Sequence, residues 1–125
     1  MADADKSDVP YQVFSLPEVD RQRGDERWME FHRSATQYAG IYVLPRGADD
    51  DQTPHDDDEI YYVLSGRGRI ALGTGGESQA VSTGSIIYVK SQEEHRFVEI
   101  EEDLHLLVFF SLSGDTATPN TPADS

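Results

Sequence analysis

Between Trp28 and Leu112 the chain is a series of short runs rich in Ile, Val, Tyr and Phe, each ended by Gly, Asp, Ser or Pro. β-branched and aromatic side chains suit a pleated, half-buried surface, and the intervening residues are turn formers. The pattern predicts strands at Trp28–Arg33, Tyr38–Leu44, Glu59–Ser65, Arg69–Leu72, Gln79–Ser82, Ser85–Val89, His95–Ile100 and Leu104–Leu112. No long segment repeats its apolar residues every 3.6 positions; only Val19–Trp28 could hold a short helical turn. Turns are expected at Ser65-Gly66-Arg67-Gly68 and Thr74-Gly75-Gly76. Many short strands at close spacing indicate an all-β sandwich or closed barrel.

A chain of 125 residues makes one domain. Residues 1–12 and 113–125 are too polar to offset their ordering entropy and are expected to be disordered, leaving residues 13–112 as the domain. There is no cysteine, which removes disulfides, thiolate metal sites and cysteine nucleophiles. The N-terminus lacks the pattern of a signal peptide, and no apolar run approaches a bilayer span, so a cytoplasmic protein is expected. A net charge of −14 argues against nucleic acid and anionic membranes as partners. Lysine occurs only at Lys6 and Lys90, and aspartate runs fill 49–51 and 56–58. Such a surface suits either an ordinary acidic protein or one adapted to high salt.

One segment concentrates the chemistry. In the strand beginning at Glu59, alternate residues Glu59, Tyr61 and Val63 share a face. If that face looks into the barrel, an ionised carboxylate enters an apolar interior, which costs several kcal/mol unless it is paired or binds a metal. His55 lies four residues earlier with the same parity, and His95 opens a later strand whose next inward residue is Phe97. Two imidazoles and one carboxylate with open positions form a divalent metal site, as in non-haem iron oxygenases.

These two segments resemble the paired motifs of the cupin superfamily. The first family motif, Gly-x5-His-x-His-x3–4-Glu-x6-Gly, aligns with Gly47, Thr53, His55, Glu59 and Gly66. The second, Gly-x5-Pro-x-Gly-x2-His-x3-Asn, aligns with Gly84, Lys90, Gln92, His95 and Glu99. The resemblance covers roughly Tyr38 to Leu112 and implies a double-stranded β-helix, or jelly-roll barrel. It also implies one divalent ion (Fe, Mn, Zn, Ni or Co) on His55, Glu59 and His95. Thr53 stands in place of the first histidine, which leaves a fourth ligand or supporting role to Gln52, Thr53 or Asp57.

Tyr42, Tyr61, Phe97 and His105 are the expected pocket residues, His105 as a hydrogen-bonded core or pocket histidine; His32 reads likewise. Trp28 is expected in the core or in the interface of a homodimer, the commonest oligomer. Two functions stay open. One is a metal-dependent enzyme acting on a small organic molecule, of dioxygenase, isomerase or lyase type. The other is a non-catalytic receptor for a sugar or phenolic ligand, with or without metal.

Overall fold

The computed structural model describes residues 9–50, 55–75 and 77–112. One helix, α1 (Leu16–Arg23), precedes six strands: β1 (Trp28–Arg33), β2 (Gln37–Leu44), β3 (Asp58–Leu72), β4 (Ser78–Ser82), β5 (Ile86–Val89) and β6 (His95–Ser111). All pairings are antiparallel, in the order β1-β2-β6-β3-β4, with β5 on the far side of the first half of β3.

Two long strands organise this fold. The expected pair Glu59–Ser65 and Arg69–Leu72 are the halves of β3, and His95–Ile100 and Leu104–Leu112 are the halves of β6. β3 and β6 pair along both halves, Asp58–Val63 with Leu106–Ser111 and Arg69–Leu72 with His95–Val98. Between them the register shifts, and the buried parity of β3 changes from Glu59, Tyr61 and Val63 to Gly68 and Ile70. Each bulge sends one half of a strand into a different layer of the barrel.

The bulges explain why a turn was expected at Ser65–Gly68. Gly66 has φ +97°, and a Cβ there would sit 2.0 Å from the Asp103 carbonyl oxygen. Its role is a close crossing of β3 over β6, not a chain reversal. On β6 the parity changes at Glu99, which takes φ +47°, a left-handed conformation unusual outside glycine and asparagine.

The interior is filled by Leu44, Tyr61, Val63, Ile70, Val81, Val89, Phe97, Ile100, Leu104, Leu106, Val108 and Phe110. β2 is covered on both faces. Ile41 and Val43 face outward and pack with Val19 of α1, together with Met29, Phe31 and Leu107. α1 overlaps the expected helical segment but begins earlier, at Leu16, with Pro17 in its first turn, and is capped by Gly24 with φ +62°. Proline is accommodated there because the first-turn amides have no partner within the helix.

Candidate functional site

Strand register assembles the site. Across the inner face of the barrel, Tyr38 of β2 pairs with Phe110 of β6, and Phe110 with Glu59 of β3. The next inner row is Gly40, Val108 and Tyr61. Trp28 of β1 opposes Tyr42 and lays its indole across Gly40, where a Cβ would come within 2.3 Å of the Trp28 Cη2. Trp28, Tyr38, Tyr42, His55, Glu59, Tyr61, Val108 and Phe110 thus line an open cavity of about 250 Å³.

At its inner end, one nitrogen each of His55 and His95 and one oxygen of Glu59 lie within 4.8 Å of one another. Ligands held about 2.0–2.2 Å from a shared ion adopt similar separations. Glu59 and His95 are buried and His55 is half-buried. His95 Nε2 is 2.9 Å from Glu59 Oε1 and 3.1 Å from the Tyr61 hydroxyl. His95 Nδ1 is 2.9 Å from the Glu93 carbonyl oxygen, which can only accept, so this nitrogen carries a proton and Nε2 points inward. Burial pushes the His95 ring toward neutrality. The Glu59 carboxylate and the Glu93 carbonyl outweigh it and raise the ring's pKa above its ordinary value. Glu59 Oε2 is buried and has no hydrogen-bond partner among the described residues.

At the turn before His95, Lys90 and Gln92 stand where the cupin motif has proline and glycine. Gln92, where the motif has glycine, takes φ +69°. Its N–H donates to the His55 carbonyl at 2.7 Å and its side-chain amide donates to Asp56. The two histidine-bearing segments are therefore tied directly to each other.

The structure brings together the three residues singled out as ligands, His55, Glu59 and His95. Gln52 and Thr53 lie outside the described residues. Asp57 is not part of the cluster; the Tyr38 hydroxyl approaches it at 3.5 Å. Of the four residues named for a pocket, Tyr42 and Tyr61 line this cavity and two do not. Phe97 packs behind Tyr61, ring centroids 5.0 Å apart and near perpendicular, and so supports the wall from outside. His105 faces a separate depression beside α1, with Leu16, Pro17, Asp20 and Ile41, because the β6 bulge places odd residues beyond Glu99 outward. His32 is not in the cavity either; its ring lies edge-on to Phe14, centroids 5.8 Å apart.

The sequence reading missed four wall residues, Trp28, Tyr38, Val108 and Phe110. Strand parity would have found Val108 and Phe110 once Leu104 and Leu106 were set inward. It also missed Asp50, a buried acid on the loop after β2. Asp50 accepts the Tyr42 hydroxyl at 2.7 Å and the Phe97 N–H at 2.8 Å, which joins the cavity wall to the strand carrying His95.

Residues 40–110 match the model of the cupin domain family. An uncharacterized protein of Streptomyces coelicolor is 39% identical over 102 residues, covering 80% of this chain and 95% of that protein. Among solved structures, an RmlC-like cupin from Methanocaldococcus jannaschii with a double-stranded β-helix fold superposes with TM-score 0.65 at 16% identity, covering 82% of this chain and 92% of that one. The DMSP lyase DddQ from Ruegeria pomeroyi gives TM-score 0.61 at 18% identity, over 80% of this chain and 55% of that one.

Proposed function

The chain belongs to the cupin family, and on that premise we propose that it binds one divalent metal ion through His55, Glu59 and His95 and acts on a small organic molecule in the adjoining cavity. The observation that carries this reading is Glu59. A carboxylate that is 2% exposed, with one oxygen against His95 and the other unpartnered, is poorly satisfied by protein alone. A cation between it and the two imidazoles supplies the missing partner, and two nitrogens with one oxygen suit Fe, Mn, Zn, Ni or Co.

When bound, such an ion acts as a Lewis acid and lowers the pKa of a coordinated water. The chain's own residues hold and enclose it. The Glu93 carbonyl fixes the His95 tautomer. Gln92 anchors the backbone of His55. Tyr61 sets its hydroxyl beside the His95 nitrogen that faces the cluster. Trp28, Tyr42 and Phe110 line the cavity beside the cluster. Dioxygenase, isomerase and lyase chemistry all fit this arrangement, as does ligand binding without turnover.

Cobalt substitution tests the site. Dialysed protein titrated with Co²⁺ is expected to develop visible d–d bands that saturate at one ion per chain and are absent in His95→Ala. A flat spectrum together with no uptake of any divalent ion would overturn the reading. Turnover with any metal separates the enzyme from the receptor. Among the described residues no helix is long and apolar enough to cross a membrane. A symmetric dimer is supported by the outer sheet face, where Tyr88, Ile60 and Phe109 align across β5, β3 and β6 and are 61%, 42% and 45% exposed. A monomer mass by light scattering would refute it.

A further inference from the structure

The cavity's chemistry narrows the ligand, an inference that rests on the site proposed above. We infer that it takes a small hydroxylated aromatic ring, a simple phenol, rather than a sugar, an organic anion or a quaternary cation.

Size comes first. At about 250 Å³ the cavity lies below the ~300–1,000 Å³ typical of pockets for drug-sized ligands. It has room for one substituted ring. Five of its eight lining residues are Trp28, Tyr38, Tyr42, Tyr61 and Phe110. Tyr38 and Phe110 stack with centroids 4.5 Å apart, and Trp28 stands near perpendicular to Tyr42 and Phe110 at 6.5 and 6.2 Å. A flat aromatic guest continues this arrangement, and each well-placed ring pair adds about 0.5–1.5 kcal/mol beyond area burial.

Charge excludes organic anions as the preferred class. Among the described residues no Lys or Arg lines the cavity, Glu59 does, and the chain carries −14. Away from the metal, a carboxylate or phosphate would meet the like charge of Glu59 and no basic side chain among the described lining residues.

Hydrogen-bond polarity excludes sugars. A sugar needs donors as well as acceptors around each hydroxyl. The Tyr42 hydroxyl gives its proton to Asp50, and the Tyr38 hydroxyl points at Asp57. Among the described residues that line it there is no Asn, Gln, Ser or Thr. With these two hydroxyls directed at acids, the described part of the wall offers few groups to a ring of hydroxyls. A phenol brings an acidic O–H on an otherwise apolar ring.

A quaternary cation would also favour aromatic walls. One of those walls is already in use. The Arg33 guanidinium lies 4.3 Å from the Tyr38 ring centroid, on a ring that stacks on Phe110.

The chain supplies its own reporter, because Trp28 is its single tryptophan and lines the cavity. Trp28 emission, excited on the red edge, is followed while metal-free and zinc-loaded protein are each titrated with phenol, benzoate, glucose and choline. Phenol is expected to give a saturable change at least tenfold tighter than the other three probes. Val108→Phe fills the cavity and is expected to weaken phenol at least tenfold while zinc uptake, measured by elemental analysis, stays at wild-type level. Val108→Ile, with one added methylene, is the milder second variant and is expected to weaken phenol by a smaller factor. Equal or tighter binding of benzoate, glucose or choline would overturn the inference, as would no saturable phenol response in either form. Phenol binding without zinc uptake would support this inference and overturn the metal reading. Zinc uptake without any phenol response would do the reverse.

Discussion

Replacing Glu59 by Met is expected to stabilise the metal-free protein while abolishing its response to metal. Removing one member of a buried ion pair ordinarily costs about 3–5 kcal/mol, because the other charge is left unpaired. Here the surviving partner can discharge itself. Without Glu59, the His95 ring becomes neutral, keeps Nδ1–H on the Glu93 carbonyl at 2.9 Å, and accepts the Tyr61 hydroxyl on Nε2 at 3.1 Å. Both nitrogens stay satisfied. The substitution also removes Oε2, whose lack of a partner costs about 1–3 kcal/mol. Methionine's unbranched thioether follows the glutamate path and fits irregular apolar space. Apolar replacement of buried pairs is often stabilising by about 1–4 kcal/mol, so we take about 2 kcal/mol as the central value. For a domain of this size that is on the order of 10 °C in Tm. The assay is urea and thermal unfolding with EDTA at several pH values, because the wild-type charge–charge gain falls as the His95 ring deprotonates. A variant less stable than wild type by about 3 kcal/mol would refute the reasoning and make Glu59–His95 a structural ion pair.

The raised pKa of His95 sets a pH dependence. A folded-state pKa above the unfolded value contributes stability that is complete below about 6.5 and lost as pH rises through the raised value. The metal-free protein should therefore lose Tm as pH rises above about 6.5, whereas the Tm gain from zinc should grow with pH, since binding requires the ring deprotonated. Scanning calorimetry with and without zinc reads both; a zinc gain that shrinks with pH would contradict the assignment. Glu99→Asn should stabilise by about 0.5–1 kcal/mol, because asparagine tolerates the left-handed backbone that Glu99 holds at φ +47°. The check is a higher urea midpoint at unchanged slope. Gly66→Ala should destabilise by about 3 kcal/mol or more, as its Cβ meets the Asp103 carbonyl at 2.0 Å on a backbone with φ +97°. If the acidic surface is adapted to high salt, the unfolding midpoint rises markedly from low to molar NaCl; no gain would mark it as ordinary.

Much of this architecture was legible because strand chemistry is local. Ile, Val, Tyr and Phe at alternate positions mark each half of β3 and β6, and the spacing of His55, Glu59 and Gly66 follows from one strand and its entry loop. Harder to read were the joints. Gly66 is a turn signal by composition, yet it serves a close crossing whose partner, Asp103, is far away in sequence. Glu99 has no composition signal for its left-handed backbone, so the parity change that turns His105 outward was invisible. Trp28 reaches the cavity only because Gly40, on a neighbouring strand, gives its ring room. Asp50 looked like one member of a solvated acidic run, and only the fold supplies the Phe97 amide and Tyr42 hydroxyl that bury it.

The central claim is that His55, Glu59 and His95 hold a metal ion. Plasma mass spectrometry of untagged protein purified without chelator tests it most directly, with His55→Ala and His95→Ala prepared alongside. The account predicts close to one divalent ion per wild-type chain, lost from both variants while far-UV circular dichroism stays unchanged. Wild-type protein that holds no metal even after reconstitution, or variants that retain it, would contradict the claim.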